Sequence, residues 1–209
     1  MARSCTVGTH SPVRVGIVVF DGADELDIVG PHAVLSTWAG RAAPRPDVAL
    51  VSRDGEPVRS STGMDLVPTA PPAELEHLHV LIHPGGPGAR RLARDPQYLG
   101  WLRRQRQHTP ALAAVGAGCL PLAAAGLLAG RAVAVHPDLV AELLAVEPGA
   151  LVDTSVSQVD DGDLLTCAAG GHAVDLALHL VERLDSVAAC VQVRRRLHFE
   201  PAAEPPTYW

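Results

Sequence analysis

Apolar residues along this chain follow two alternating patterns. Short, mostly apolar runs occupy 13–20, 47–52, 77–83 and 111–115. Mostly apolar runs of that length predict strands covered on both faces. Between them the apolar positions fall three or four apart. Asp24 stands where an N-cap belongs and predicts a helix through about Trp38. Tyr98, Trp101, Leu102 and Gln105 share one face of a predicted helix over 96–108, with Arg103, Arg104 and Arg106 turned outward. A helix over 118–128 ended by Gly130, a strand over 131–135 and a helix over 138–145 come next. Strands near 151–158 and 163–167 flank the turn at Asp160, Asp161 and Gly162, and helices over 172–184 and 186–197 follow. Residues 54–70, with Gly55, Pro57, Gly63 and Pro68, predict short strands or a hairpin.

This alternation predicts an α/β fold with a mostly parallel central sheet and helices on both faces. In such sheets the ligand lies off the carboxyl ends of the strands. Three loops leaving those ends carry glycine or acidic residues, 21–27, 84–88 and 116–119, and they are expected to converge. Residues 1–12 read as a flexible leader, 13–199 as a single domain and 200–209 as a Pro-rich tail, with no internal repeat.

Composition narrows the chemistry. The chain has 209 residues and a net charge of -6, so there is no electrostatic case for a nucleic-acid partner. No apolar run approaches a membrane span and the N-terminus lacks a secretory apolar region, so a soluble cytoplasmic protein with no membrane partner is expected. All 17 basic residues are Arg. The absence of Lys excludes a Schiff-base lysine and a Walker-type phosphate loop. Aromatic content of 3% predicts an aliphatic core. Cys5, Cys119, Cys167 and Cys190 stand at neither metal-ligand nor redox-pair spacing and read as thiols of a reducing compartment.

Several side chains carry candidate chemistry. Asp27 is a pocket acid/base or the closing member of a capping box with Asp24; Asp24 and Glu25 read as cap and solvated face. Cys119 falls in the first turn of a predicted helix, where free amides and the dipole favour a thiolate, or it is a small core residue. His172 opens a helix and is a candidate base. His83, just before the Pro84, Gly85 and Gly86 loop, points at the pocket or is buried and hydrogen-bonded. His172, Asp175 and His179 share a helix face, and His77 and His79 a strand face, but no bound metal and no other cofactor is expected from them.

Four segments together resemble the ThiJ/PfpI superfamily, in its isonitrile-hydratase-like branch. They are 20–31, the loop at Pro84, Gly85 and Gly86, residues 122–131, and 163–166 with 175–183. The resemblance implies the class I glutamine-amidotransferase-like fold, a flavodoxin-like three-layer sandwich, and a homodimer. It also implies a reactive cysteine on a strained strand-to-helix elbow, an acid from the first helix hydrogen-bonded to it, and two backbone amides forming an anion hole. Carried onto this chain, the acid is Asp27, the amides are those of Gly86 and Ala117, and His136 lies near the reactive centre. The nucleophile does not carry over, because the elbow position is Gly116 and the nearest thiol is Cys119, three residues on. Glycine there is expected to leave an open pocket or a degenerate elbow.

Two classes of function remain. One is a cofactor-independent enzyme acting on a small organic molecule, by hydration of an isonitrile or as a diverged lyase or cyclase with Asp27 as acid/base. The other is a non-catalytic binding or sensor protein. Protease and deglycase chemistry need the elbow thiol, and Gly116 counts against them.

Overall fold

The computed structural model describes residues 12–71 and 77–199. The expected leader, but for its last residue, and the Pro-rich tail lie outside the described residues.

The first strand, β1 (Arg14–Val18), is followed by α1 (Glu25–Ala39), β2 (Asp47–Val51), the strands β3 (Val58–Arg59) and β4 (Asp65–Leu66), and β5 (Val80–His83). Then come α2 (Pro87–Leu92), α3 (Pro96–His108), β6 (Ala111–Val115), a 3-10 turn at Gly116–Gly118 and α4 (Cys119–Ala124). The chain continues through β7 (Ala132–Val133), α5 (Val140–Val146), β8 (Leu151–Val152), β9 (Gln158–Asp160), β10 (Leu164–Cys167), α6 (His172–Leu184) and α7 (Val187–Arg196).

Six strands form the central sheet in the order β2-β1-β5-β6-β10-β9. The first five are mutually parallel, and β9 runs antiparallel to β10. The α/β expectation holds. The order reverses between β1 and β5. The chain leaves β1 toward β2 on one side, and leaves β5 toward β6 and β10 on the other. Right-handed crossovers in opposite directions place their helices on opposite faces. Accordingly α1 packs with α6 and α7, whereas α4 packs with α2, α3 and α5. The crevice between β1 and β5 is therefore the switch point at which such sheets hold ligands.

The core is mostly aliphatic, as expected, but Phe20, Trp38, Tyr98 and Trp101 are also buried in it. Val15, Ile17, Val51, Ile82, Ala113 and Val115 are fully buried along the strands. At the amino ends of the strands Arg131 reaches both Asp161 and Asp163, and Arg106 also pairs with Asp163.

Three local readings are corrected, one of them the single strand expected near 151–158, which is two short strands, β8 and β9, in different sheets. The helix expected over 118–128 ends at Ala124, because Gly126 donates to the Ala123 carbonyl and Leu127 to that of Leu122, the paired bonds of a Schellman stop. The first suitable glycine ends the helix, not Gly130. The strand expected over 131–135 narrows to Ala132–Val133. The short helix α2, opened by Pro87 at its first turn, had no periodic signal in six residues.

Candidate functional site

Four loops leave the carboxyl ends of β1, β5, β6 and β10 and meet above the switch point. Three were expected. The fourth, at 168–171, follows β10. Asp27 joins two of them. Its Oδ2 accepts the Gly85 amide at 3.0 Å and its Oδ1 the Gly170 amide at 3.0 Å. The carboxyl is only 2% exposed. Burial pushes its pKa up to about 6, the two amide hydrogen bonds pull against that, and the nearby charge of Asp24 adds to the rise. The capping-box reading of Asp27 is overturned. Asp24 has the extended backbone of an N-cap, yet its side chain makes no cap hydrogen bond, and Asp27 is turned inward.

Gly85 must be glycine for this contact. A Cβ there would lie 2.9 Å from Asp27 Oδ2, 2.9 Å from the Val115 carbonyl oxygen and 3.0 Å from the Ala117 nitrogen. The three groups close around the position a side chain would take.

The elbow keeps its shape without its nucleophile. Gly116 follows β6 with φ +50, in the left-handed region that disfavours other residues. The open pocket expected at this position is corrected in part. A Cβ on Gly116 would stand 3.0 Å from the Ala168 carbonyl oxygen and 3.2 Å from the Ala169 Cβ, so the loop after β10 closes over it. The cavity, about 290 Å³, opens beside this point. Asp27, Gly86, Gly116, Ala117 and His136 all line it. Ala117 belongs to the first residues of a 3-10 turn, whose amides have no carbonyl partner within that turn. His136 Nδ1 faces the Asp138 amide at 3.3 Å and the Asp138 carboxylate at 3.5 Å.

Three candidates fall outside the cavity. Cys119 is fully buried, and burial pushes its thiol up to about 12. The polarising helix end does not compensate for the apolar surroundings, so this thiol is core. His172 is exposed on α6, with Nδ1 4.0 Å from Asp175 Oδ2. His83 is buried on the sheet and faces α3. Its Nδ1 lies 2.9 Å from the Pro84 carbonyl oxygen, which can only accept, so Nδ1 carries the proton; Nε2 then accepts the Tyr98 hydroxyl at 2.8 Å. Burial holds this imidazole down at about 4. Among the described residues no group of three His, Cys, Asp or Glu side chains converges as a metal site would require.

The cavity also holds residues that sequence reasoning passed over. Arg90 lines it from α2, with Nε and Nη2 bonded to the Glu142 carboxylate at 2.7–3.0 Å. Asp24 and Asp138 line it too. Arg90 was legible only through α2, which had no pattern of its own. Asp24 was visible but assigned to its own helix.

The family model described as the DJ-1/PfpI family matches residues 13–183. Isonitrile hydratase of Pseudomonas putida is 34% identical over 197 residues, covering 93% of this chain and 81% of that protein. The HTH-type transcriptional regulator GbdR of Pseudomonas aeruginosa is 27% identical over 177 residues, and the matched part covers 83% of this chain but 47% of the regulator. The crystal structure of a ThiJ/PfpI family protein from Pseudomonas syringae superposes with a TM-score of 0.77 at 25% identity, covering 93% of this chain and 78% of that one. A match that runs from the start of β1 nearly to the end of α6, on a fold shared with that structure, settles the lineage: the chain belongs to the DJ-1/PfpI family.

Proposed function

We propose that this protein is a cofactor-independent enzyme that hydrates a small uncharged isonitrile to an N-substituted formamide, with Asp27 as its acid. The observation that carries this reading is the buried Asp27 carboxyl on the cavity wall. Its pKa of about 6 keeps an appreciable fraction protonated near neutrality. The chemistry needs no thiol. Asp27 protonates the terminal carbon of R–N≡C. Water adds to that carbon and gives up a proton, and the resulting imidic acid tautomerises to R–NH–CHO. The amides of Gly86 and Ala117 serve the oxygen as it acquires imidate character, and His136 orients the substrate from the cavity mouth. The 34% identity to an isonitrile hydratase supports the choice of substrate. Another lyase or cyclase substrate of similar size suits the same acid. The homodimer and cytoplasmic setting belong to this reading as proposals.

The test is turnover of a small aryl isonitrile by wild type and Asp27→Asn, followed through the formyl proton by NMR. Formamide from wild type and none from Asp27→Asn is the expected result. No formamide from wild type overturns it.

A second reading is favoured by the missing elbow thiol at Gly116 and by the likeness to GbdR. It is a non-catalytic binding or sensor protein on the same fold. A cavity ligand that raises the melting temperature and is recovered unchanged would support it.

A further inference from the structure

Asp24 occupies the N-cap of α1 with φ −82 and ψ 126, and an aspartate in that conformation ordinarily accepts an amide from the first turn. Here it accepts none. Its backbone amide instead donates to the Gly85 carbonyl at 3.1 Å, which draws the residue toward the loop after β5. It lines the same cavity as Asp27, on the solvent side, while Asp27 forms the buried wall. One cavity thus places a buried carboxyl beside one that water reaches. The Arg90 guanidinium on the same cavity is held by Glu142 in two-pronged contact.

We propose that Asp24 is the second catalytic carboxylate of this site, the base that takes the proton from the adding water. The inference rests on the hydratase reading. The step balances: Asp27 loses its proton to the substrate carbon, water forms the C–O bond, and the released proton goes to the Asp24 carboxylate. Solvent exchange then restores Asp24 to its ionised and Asp27 to its protonated form. The negative charge of Asp24 also favours the nitrilium character of the protonated carbon.

The charged and titratable groups facing the pair are Arg90 of α2, with Glu142 of α5 behind it, and His136 and Asp138 of the turn before α5. Cys167 of β10 lies close enough to Asp27 to be affected by its charge.

Asp24→Asn is the informative variant, because the Asp24 side chain makes no cap hydrogen bond, so the near-isosteric amide removes the charge without removing a cap. Expected are an unchanged melting temperature, kcat lowered by at least about tenfold with KM within about twofold, and partial recovery in Asp24→Glu. The apparent pKa of Asp27 should also fall, because the Asp24 charge raises it. Unchanged kcat in a wild-type enzyme that turns over isonitrile overturns the inference and leaves the hydratase reading standing. Inert wild type overturns the hydratase reading. That outcome takes the inference with it, whereas in an active enzyme an Asp27 carboxyl midpoint, read by NMR, that does not move between wild type and Asp24→Asn counts against the pair.

Discussion

Asp27 and Gly170 are 143 residues apart along the chain, and the Gly170 amide donates to the Asp27 carboxylate at 3.0 Å. With the Gly85 amide on the other oxygen, one side chain ties α1 to the loops after β5 and β10. Asp27→Asn offers only one oxygen to two amide donors and sets its NH2 against the other. Activity should fall by about 100-fold or more, the range of a lost acid. Circular dichroism and kinetics on the same sample check this.

The pH dependence follows from the same group. With the protonated carboxyl as the acid, kcat/KM falls as pH rises through about 6. The folded pKa stands above its ordinary value of 3.8, so the folded state holds the proton more tightly than the unfolded one. The contribution of Asp27 to stability is therefore fully present below about pH 4 and is lost as pH rises through about 6. A pH–rate profile and urea unfolding at several pH values read the two effects separately.

Gly116 carries a backbone cost that any other residue would meet. At φ +50, with the Ala168 carbonyl 3.0 Å from a new Cβ, Gly116→Ala should destabilise by about 1–2 kcal/mol. For a chain of this size that lowers Tm by about 2–8 °C. Gly116→Cys should restore a thiol at the elbow while pressing on the loop that supplies the Gly170 amide. Thermal unfolding and iodoacetamide labelling report both consequences.

Cys119→Ala should leave isonitrile hydration within about twofold, since the thiol lies in the core and not on the cavity. In native protein it should resist alkylation that proceeds after denaturation. Loss of activity in a folded Cys119→Ala protein would contradict this placement.

The His83 ring should stay neutral from pH 7 down to 5, with the proton on Nδ1, and 15N imidazole shifts would show it. Its folded pKa of about 4 lies below the ordinary 6.5. The stability tied to its neutral form is present above about pH 6.5 and lost as pH falls through about 4. That loss amounts to about 3 kcal/mol. Tyr98→Phe removes the hydroxyl that Nε2 accepts and should destabilise by about 1–2 kcal/mol, measured by urea unfolding.

Most of the strands and helices, though not α2 or the division into β8 and β9, and the convergence of three glycine-bearing loops were legible in the residues themselves. That information is local: buried strands repeat apolar residues continuously, helices repeat them every three or four positions, and glycine and proline mark the breaks. The family pattern also marked Asp27, Gly86, Gly116 and Ala117, because backbone shape at a tight loop depends on the residues that form it. Side-chain direction at those loops does not. Whether Asp27 capped its own helix or turned inward depended on Gly85 and Gly170, far along the chain. Whether Cys119 met the cavity or the core depended on what packs over α4, and His83 turned away because Tyr98 of α3 supplied a donor behind the sheet. The loop after β10, which covers Gly116, carried no pattern that linked it to the elbow. Local propensity specifies which segments become elements; only the packing of distant segments decides which face of each loop reaches the cavity, because burial and hydrogen bonding there are satisfied by partners the local sequence does not contain.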